Sequence, residues 1–463
     1  MPAAVLFLVI VATAAHAQTP PPAAPSSPLT LDQALQYAVD HYPTVTAAMA
    51  RMNAATAEID VARAAYLPRL DSVWQSNRAT ANNVFGQLLP QAVLPSLSGP
   101  VLPSSTSQSV WSSAAGALFS WEPFDFGLRH AAIDTAEAGL TRARAADVLT
   151  RLDVQVGVAD AYLTLVAAQR AVAAAQADLD RRDVLGRAVH ALVDNQLRPG
   201  AEASRADAEQ AAARVRLAQA QQRATIAETT LARVLGITSG SVIVAGDRLI
   251  AQLPASDVPG GETAMHPLLL VREASVAQSK AAEAVLARTD YPHVYVQSSV
   301  MARGSGANAN GTFDGGADGL GLDRANWAAG VQILFPNVFD FASLRARKAA
   351  AAAATRAEMA SFDEATLAVI SQRRTAAALL QSARAIAVST PIELAAAQQG
   401  ETQARARYDA GLASIIEVAD AQSLLAAAEV QDQLARVDVW RALLAVAAAQ
   451  GDLTPFANLV RQP

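Results

Sequence analysis

The sequence predicts a mainly α-helical chain that carries short membrane β-strands, with the whole unit duplicated internally. Three observations lead there. The stretch from Phe339 to about Val446 is dominated by Ala, Arg, Glu, Gln and Leu, the strong helix formers, and breaks once, at Asp409-Ala410-Gly411. At about 1.5 Å per residue, a helix from Leu344 to Asp409 would be roughly 100 Å long, several times a globular helix. Landmarks then recur at constant spacing. Phe339-Asp340-Phe341 follows Phe124-Asp125-Phe126 by 215 positions, and Gly451 follows Gly236 by the same interval. Between the helices of each half lie short alternating segments rich in Ser, Val and Trp, the pattern of strands.

Composition narrows the function classes. The 463 residues are 52% hydrophobic but only 5% aromatic, and alanine makes the difference, which suits close-packed long helices better than one bulky core. A net charge of −6 with scattered Lys and Arg argues against a nucleic-acid surface. The absence of cysteine excludes disulfides, thiol chemistry and zinc-thiolate sites, and the six histidines form no HExxH or clustered ligand set. No metal or cofactor is expected. Paired carboxylates lack a converging nucleophile or base, so no enzyme activity is expected either. Gly304 to Gly311 superficially resembles a phosphate loop, but no Lys-Ser/Thr follows it, and it reads as an exposed loop.

In chain order, residues 1–17 form a secretory signal, with an apolar run from Val5 to Ala14 and Ala15-His16-Ala17 as a small-x-small cleavage site. Residues 18–29 are a Pro-rich linker. The first repeat, 30–238, opens on Thr30-Leu31-Asp32-Gln33, a capping-box pattern. His41-Tyr42-Pro43 interrupts that helix, and a second runs from Pro43 to Tyr66. A strand from Leu70, a Pro- and Ser-rich loop over 88–105 and a strand from Val110 to Trp121 follow. The chain re-enters helix at Pro123-Phe124-Asp125-Phe126-Gly127. This helix carries Val148, Leu152, Val156, Ala159, Leu163 and Val166 as a seam at spacings of three and four. It ends near Asn195, turns at Arg198-Pro199-Gly200, and returns from Glu202 to Leu235.

A connection over 239–265 leads to the second repeat, 266–455, and a tail over 456–463. Pro267 and Pro292 punctuate it 224 positions after Pro43 and Pro68. Its strands place Val294, Val296, Ser298 and Val300 on one face, then Trp327, Ala329, Val331, Ile333 and Phe335. Strands of this length suit a tilted membrane crossing, on the order of 9–11 residues. Trp74, Trp111, Trp121 and Trp327 lie in or beside them, as an interfacial aromatic girdle requires. Four strands cannot close a barrel in lipid, so identical chains must pool strands. Two chains would give a filled barrel and three would enclose a lumen.

The order of these stretches carries a resemblance. Leu29-Thr30-Leu31-Asp32-Gln33-Ala34-Leu35, Ala64-Ala65-Tyr66-Leu67-Pro68, Phe-Asp-Phe-Gly, Ala161-Tyr162-Leu163, Leu235-Gly236 and Arg407-Tyr408-x-x-Gly411 stand in the duplicated frame of a TolC-like outer-membrane efflux protein. The likeness covers residues 30–452. It implies a homotrimer whose 12-stranded β-barrel, set in outer-membrane lipid of a Gram-negative bacterium, continues into a periplasmic α-helical barrel. It also implies a periplasmic adaptor and an inner-membrane pump of RND, ABC or MFS type, with this chain as a passive exit duct for efflux or type I secretion. The alternative is a periplasmic coiled-coil adaptor or structural protein without a pore.

The two hairpin turns then form the periplasmic end. Glu417 and Asp420, three apart on a helix, put both carboxylates on one side, and in three copies they make stacked acidic rings that favour cations. The resemblance assigns acids here to the entrance constriction, and it assigns Tyr408 to a closing hydrogen-bond network with an acid of the other hairpin, here Glu202. Two departures stand out. Ala413 occupies a position that is often basic in the family, leaving Arg205 as a substitute, and Gln196 stands where the first turn needs a glycine. Small residues around the turns (Ala201, Ala203, Ser204; Gly411, Ala413, Ser414), with Leu412 as an apolar contact, suit the close packing of an adaptor's helical tip.

Overall fold

The computed structural model describes residues 27–83, 92–94, 105–246, 249, 251, 253–254, 258, 265–314, 317–336 and 340–461. The signal segment 1–17, the linker up to 26, most of the 88–105 loop, much of the 239–265 connection and Phe339 lie outside them. The chain divides into two compact units, Met49–Asp147 with Pro267–Leu367, and Met1–Ala48 with Val148–His266 and Ala368–Pro463. Helices α2 (Pro43–Ala64), α3 (Leu128–Asp194) and α6 (Phe341–Asp409) contribute residues to both, and α5 (Pro267–Leu286) lies within the first.

The first of these units holds one antiparallel meander in the order β1 (Arg69–Thr80), β2 (Ser109–Phe124), β3 (His293–Ser305), β4 (Arg324–Leu334). Directly opposed residues share a face. Leu70 pairs with Phe119, Ala117 with Val300, Trp121 with Val296, and Val300 with Trp327. That face therefore carries Leu70, Trp74, Trp111, Phe119, Trp121, Val296, Val300, Trp327, Val331 and Ile333. All four expected girdle tryptophans stand on it. Trp74 is 71% exposed and Trp327 79%, so among the described residues nothing covers these parts of the apolar face. The other face carries Asp71, Gln75, Asn77, Gln297, Asn326 and Gln332. An exposed apolar face backed by a polar one is the reverse of a soluble sheet, and it is the pattern that a strand between lipid and water requires.

Both strand connections leave at one end of the sheet, and helices adjoin the other. At the connection end the Gly-rich segment folds back onto the apolar face. Ser113 Oγ donates to the carbonyl oxygens of Gly319 (2.8 Å) and Gly321 (3.2 Å). A Cβ on Gly304 would lie 1.6 Å from Gly321 O, so only glycine permits this approach. At the helix end, Phe126 (φ 51°) and Gly127 (φ 91°) turn β2 into α3. Asp125 caps the helix by accepting from Gly127 N (3.1 Å) and Arg129 N (2.6 Å), and it pairs with Arg129 Nε at 2.9 Å. Arg129 also donates to Ala65 O and lies over the Tyr66 ring. Burial works to raise the Asp125 pKa, but the Arg129 and Gly127 donors outweigh it and hold it low.

The helix-rich unit packs α1 (Leu31–His41), α4 (Gly200–Leu235), α7 (Ile415–Gln450), α8 (Thr454–Arg461) and the later turns of α3 and α6 around one core. Tyr162, Leu163, Leu231, Leu235, Leu443 and Phe456 are fully enclosed. On the α3 seam Leu152, Ala159, Leu163 and Val166 are buried and Val156 partly so, whereas Val148 is 48% exposed: α3 passes from one unit to the other at that residue. The capping box at Thr30 and Gln33 forms as expected. Leu29 is more than linker, because it pairs with the connection at Ile243 and Ala245, and its carbonyl accepts from Tyr162 Oη. The connection is likewise anchored. Val242, Leu249 and Val258 are buried, and Trp440 Nε1 donates to Leu249 O. The segment from 456, expected as a tail, is helical to Arg461, because Phe456 and Leu459 bury one face.

The duplication extends to the helix ends. Gln196, Gly236, Gly411 and Gly451 all adopt left-handed backbone, with φ of 56°, 76°, 74° and 86°. Each closes a Schellman motif; for example, Leu197 N reaches Leu192 O and Leu412 N reaches Arg407 O, both at 2.8 Å. The first turn thus keeps the geometry without the glycine.

Gly411→Ala should lower stability by about 1 kcal/mol, because a Cβ there meets nothing and only the backbone conformation is penalised. Gln196→Ala should change it by less than about 0.5 kcal/mol, since a Cβ is already accommodated. Denaturation followed by circular dichroism would separate the two. Asp125→Asn should cost about 3 kcal/mol by stranding the Arg129 guanidinium. With its folded pKa depressed, the wild-type Asp125 contribution is present above the unfolded value near 3.9 and fades as pH falls through the folded one. The variant should lose that acid dependence in a pH-resolved melt.

Candidate functional site

The candidate residues gather where α3 turns into α4 and α6 into α7. Pro199 precedes α4 and presets its first turn, in which Glu202 lies. Ser414 occupies the N-cap of α7, and Glu417 lies in that first turn. Acids at these places are favoured by unpaired helix N–H groups.

Tyr408 and Glu202 meet. Tyr408 is 2% exposed, and its hydroxyl donates to Glu202 Oε2 at 2.9 Å. Arg198 completes the cluster. Its guanidinium lies 4.7 Å over the Tyr408 ring, its Nη1 is 3.7 Å from Glu202 Oε1, and its Nη2 donates to Tyr408 O at 3.2 Å. Leu185, Val189, Ala206, Ile415 and Val418 pack around the phenol. Burial pushes the Tyr408 pKa up to about 12, helped by the Glu202 bond and carboxylate and opposed by Arg198. One bond between turns of different repeats is thereby shielded from water.

Glu417 and Asp420 stand outside that cluster. Both are exposed on α7, opposite buried Val418 and Ala419. Glu417 Oε2 lies 3.8 Å from Arg407 Nη2, with both side chains about half exposed, so the pair is weak. Among the described residues Asp420 makes no ion pair. Arg205 pairs with Glu209 on its own helix at 3.7 Å, and Arg198 provides the bridging charge instead. Ala413 is 8% exposed and packed in the apolar cluster, which leaves no room for a long basic side chain. Of the small turn residues, Ala201, Ser204, Gly411 and Ser414 are exposed and Ala203 is buried. Leu412 is 72% exposed, and so is its repeat counterpart Leu197, at 68%.

Two groups stand out less clearly in the sequence. Arg198 lies in a turn segment, where the one signal of its role is a cation four residues before Glu202 at a helix start. The other group lies further along the helices, where Arg182 Nε binds Asp178 Oδ1 (2.9 Å), Nη1 binds Glu209 (2.8 Å) and Nη2 donates to Ser423 Oγ (3.0 Å). Arg216 joins Asp178, and Arg181 grips Glu429 with both Nη atoms. Asp178 and Arg182 are almost fully buried. The Arg182–Ser423 and Arg181–Glu429 contacts cross from the first repeat to the second over more than 240 positions, and no local pattern announces them.

Tyr408→Phe should loosen the tip by about 2 kcal/mol, the usual scale for a hydrogen bond to a charged group. In wild type the raised tyrosine pKa means that this stabilisation is complete below pH 10 and disappears between about 10 and 12. Protease cleavage at the turns, followed against pH, should show that alkaline transition in wild type and constant high susceptibility in the variant.

The family model described as "Outer membrane efflux protein" matches residues 34–237 and 262–452. Protein CyaE of Bordetella pertussis is 27% identical over 444 residues, covering 94% of this chain and 86% of that one. The CmeC outer membrane channel of Campylobacter jejuni superposes with a TM-score of 0.73 at 15% identity, over 91% of this chain and 85% of its own. VceC of Vibrio cholerae gives 0.69 at 18%, over 91% and 96%. The open state of the MtrE channel of Neisseria gonorrhoeae gives 0.70 at 19%, over 91% and 89%.

Proposed function

The chain belongs to the outer membrane efflux protein family, and from that premise we propose that three copies form one continuous exit duct. It is an outer-membrane channel whose large helical part lies in the periplasm. The observation that carries the trimer is the four-stranded sheet, whose exposed face is apolar and whose order ends at β1 and β4. In lipid an open edge costs several kcal/mol per unpaired backbone group, so β1 of one copy seeks β4 of the next. Three copies then pool twelve strands around the polar face, and the girdle of Trp74, Trp111, Trp121 and Trp327 meets lipid.

The duct is passive and catalyses no reaction. Energy comes from an inner-membrane pump, of RND, ABC or MFS type, in efflux or type I secretion. A periplasmic adaptor seats on the exposed turns, with Leu197 and Leu412 as equivalent apolar contacts beside Ala201, Ser204, Gly411 and Ser414. The Tyr408–Glu202–Arg198 cluster holds the periplasmic mouth closed. Exposed Glu417 and Asp420, repeated in three copies, form acidic rings at the constriction that favour cations and repel each other.

Semi-native gels of the outer-membrane fraction should show an oligomer that collapses to monomer only on boiling; a monomer before boiling would defeat the trimer. In planar bilayers Glu417→Ala with Asp420→Ala should cut cation over anion permeability several-fold, and unchanged selectivity would remove both residues from the constriction.

A further inference from the structure

On the apolar face of the sheet one strand residue is charged, and it is Arg78. The register places it directly opposite Trp111 and two positions before the end of β1. That end adjoins the strand connections and lies away from the helices, so in an outer-membrane channel with a periplasmic helical part it lies at the outer leaflet. A cation on a lipid-facing strand is costly at the bilayer midplane and nearly neutral only at the headgroup level. Arg78 and Trp111 together have the chemistry of that level, an apolar ring with a polar edge beside a guanidinium.

The side chain is also preset. Arg78 Nε donates to Ser109 Oγ at 2.9 Å, which fixes the stem across the strand pair and leaves both Nη groups available. Arg78 is exposed, and among the described residues Ser109 is its one polar partner. A planar fork held in this way matches a phosphate by two parallel hydrogen bonds. Hydroxyls of Thr80 and Ser109 share the same face beside it.

We propose that Arg78, with Trp111 and Ser109, binds a phosphate of the outer-leaflet glycolipid, lipid A, and so fixes the depth of the channel in the membrane. The inference rests on the outer-membrane reading. Its choice of glycolipid over phospholipid follows from the side of the membrane at which the sheet connections emerge.

The test is native mass spectrometry of the full-length oligomer exchanged into detergent with defined lipids. Wild type should retain diphosphoryl lipid A about fivefold better than its dephosphorylated form, the scale expected of one basic residue at a lipid surface. Arg78→Ala should bring the two to equal retention, and Arg78→Lys should keep part of the preference. Equal retention of both forms by wild type, or an unchanged preference in Arg78→Ala, would overturn the site. Phosphatidylglycerol retained as well as lipid A, and lost equally in Arg78→Ala, would overturn the glycolipid assignment. Boiling-dependent gel migration checks that each variant still assembles, and Arg78→Gln replaces Arg78→Ala should the latter fail. A wild-type protein that forms no such oligomer would sink the membrane reading itself, and the site with it.

Discussion

A backbone N–H or C=O facing hydrocarbon has no water to turn to, and that constraint governs the sheet. Within one chain the meander pairs β1 with β2, β2 with β3 and β3 with β4, and its order ends there. Nor do the described residues cover Trp74 and Trp327 on its apolar face. Trp74, Val300, Trp327 and Val331 present apolar surface outward, while Gln297, Asn326 and Gln332 occupy the opposite side. Both deficits are met together if neighbours add strands at each edge and lipid covers the apolar face. The low aromatic content elsewhere fits the same division of labour, since large rings are concentrated where a membrane needs them.

The helix-rich unit answers a different problem, that of keeping long, alanine-rich helices in register. Small side chains permit close approach but supply little specificity, and directional contacts supply it instead. Buried Asp178 and Arg182 reach α4 and α7 from α3, Arg181 holds Glu429, and Thr390 Oγ1 donates to buried Asp432. Removing one partner of such a pair costs more than the pair contributes, because it leaves an uncompensated charge behind. At the tip the same logic is concentrated in Tyr408, where burial strengthens a single hydrogen bond to Glu202 and Arg198 balances the carboxylate.

Periodicity and punctuation determined a good deal. The alternation of Trp327, Ala329, Val331 and Ile333 specified a strand and its apolar face, because side chains on a strand must alternate. Pro43 and Pro267 specified helix starts, because proline lacks the donor that an interior position requires. The interval of 215 residues located the helix ends, down to Gln196 standing in the left-handed position that Gly411 takes in the second half.

What the tertiary structure decided is which distant side chains meet. Arg198 rather than Arg205 approaches Tyr408, since Arg205 points along its own helix to Glu209. Leu29, Val242 and Leu249 belong to the core, although composition marked their segments as linkers, because Tyr162 and Trp440 offer donors to the carbonyls of Leu29 and Leu249, and Val242 N donates to Glu228. The segment after 454 is a docked helix because Phe456 finds Trp440 edge-on. Local pattern is written by backbone geometry, which every residue carries with it. A contact across two hundred positions depends on how packed helices rotate, and no short stretch of sequence encodes that.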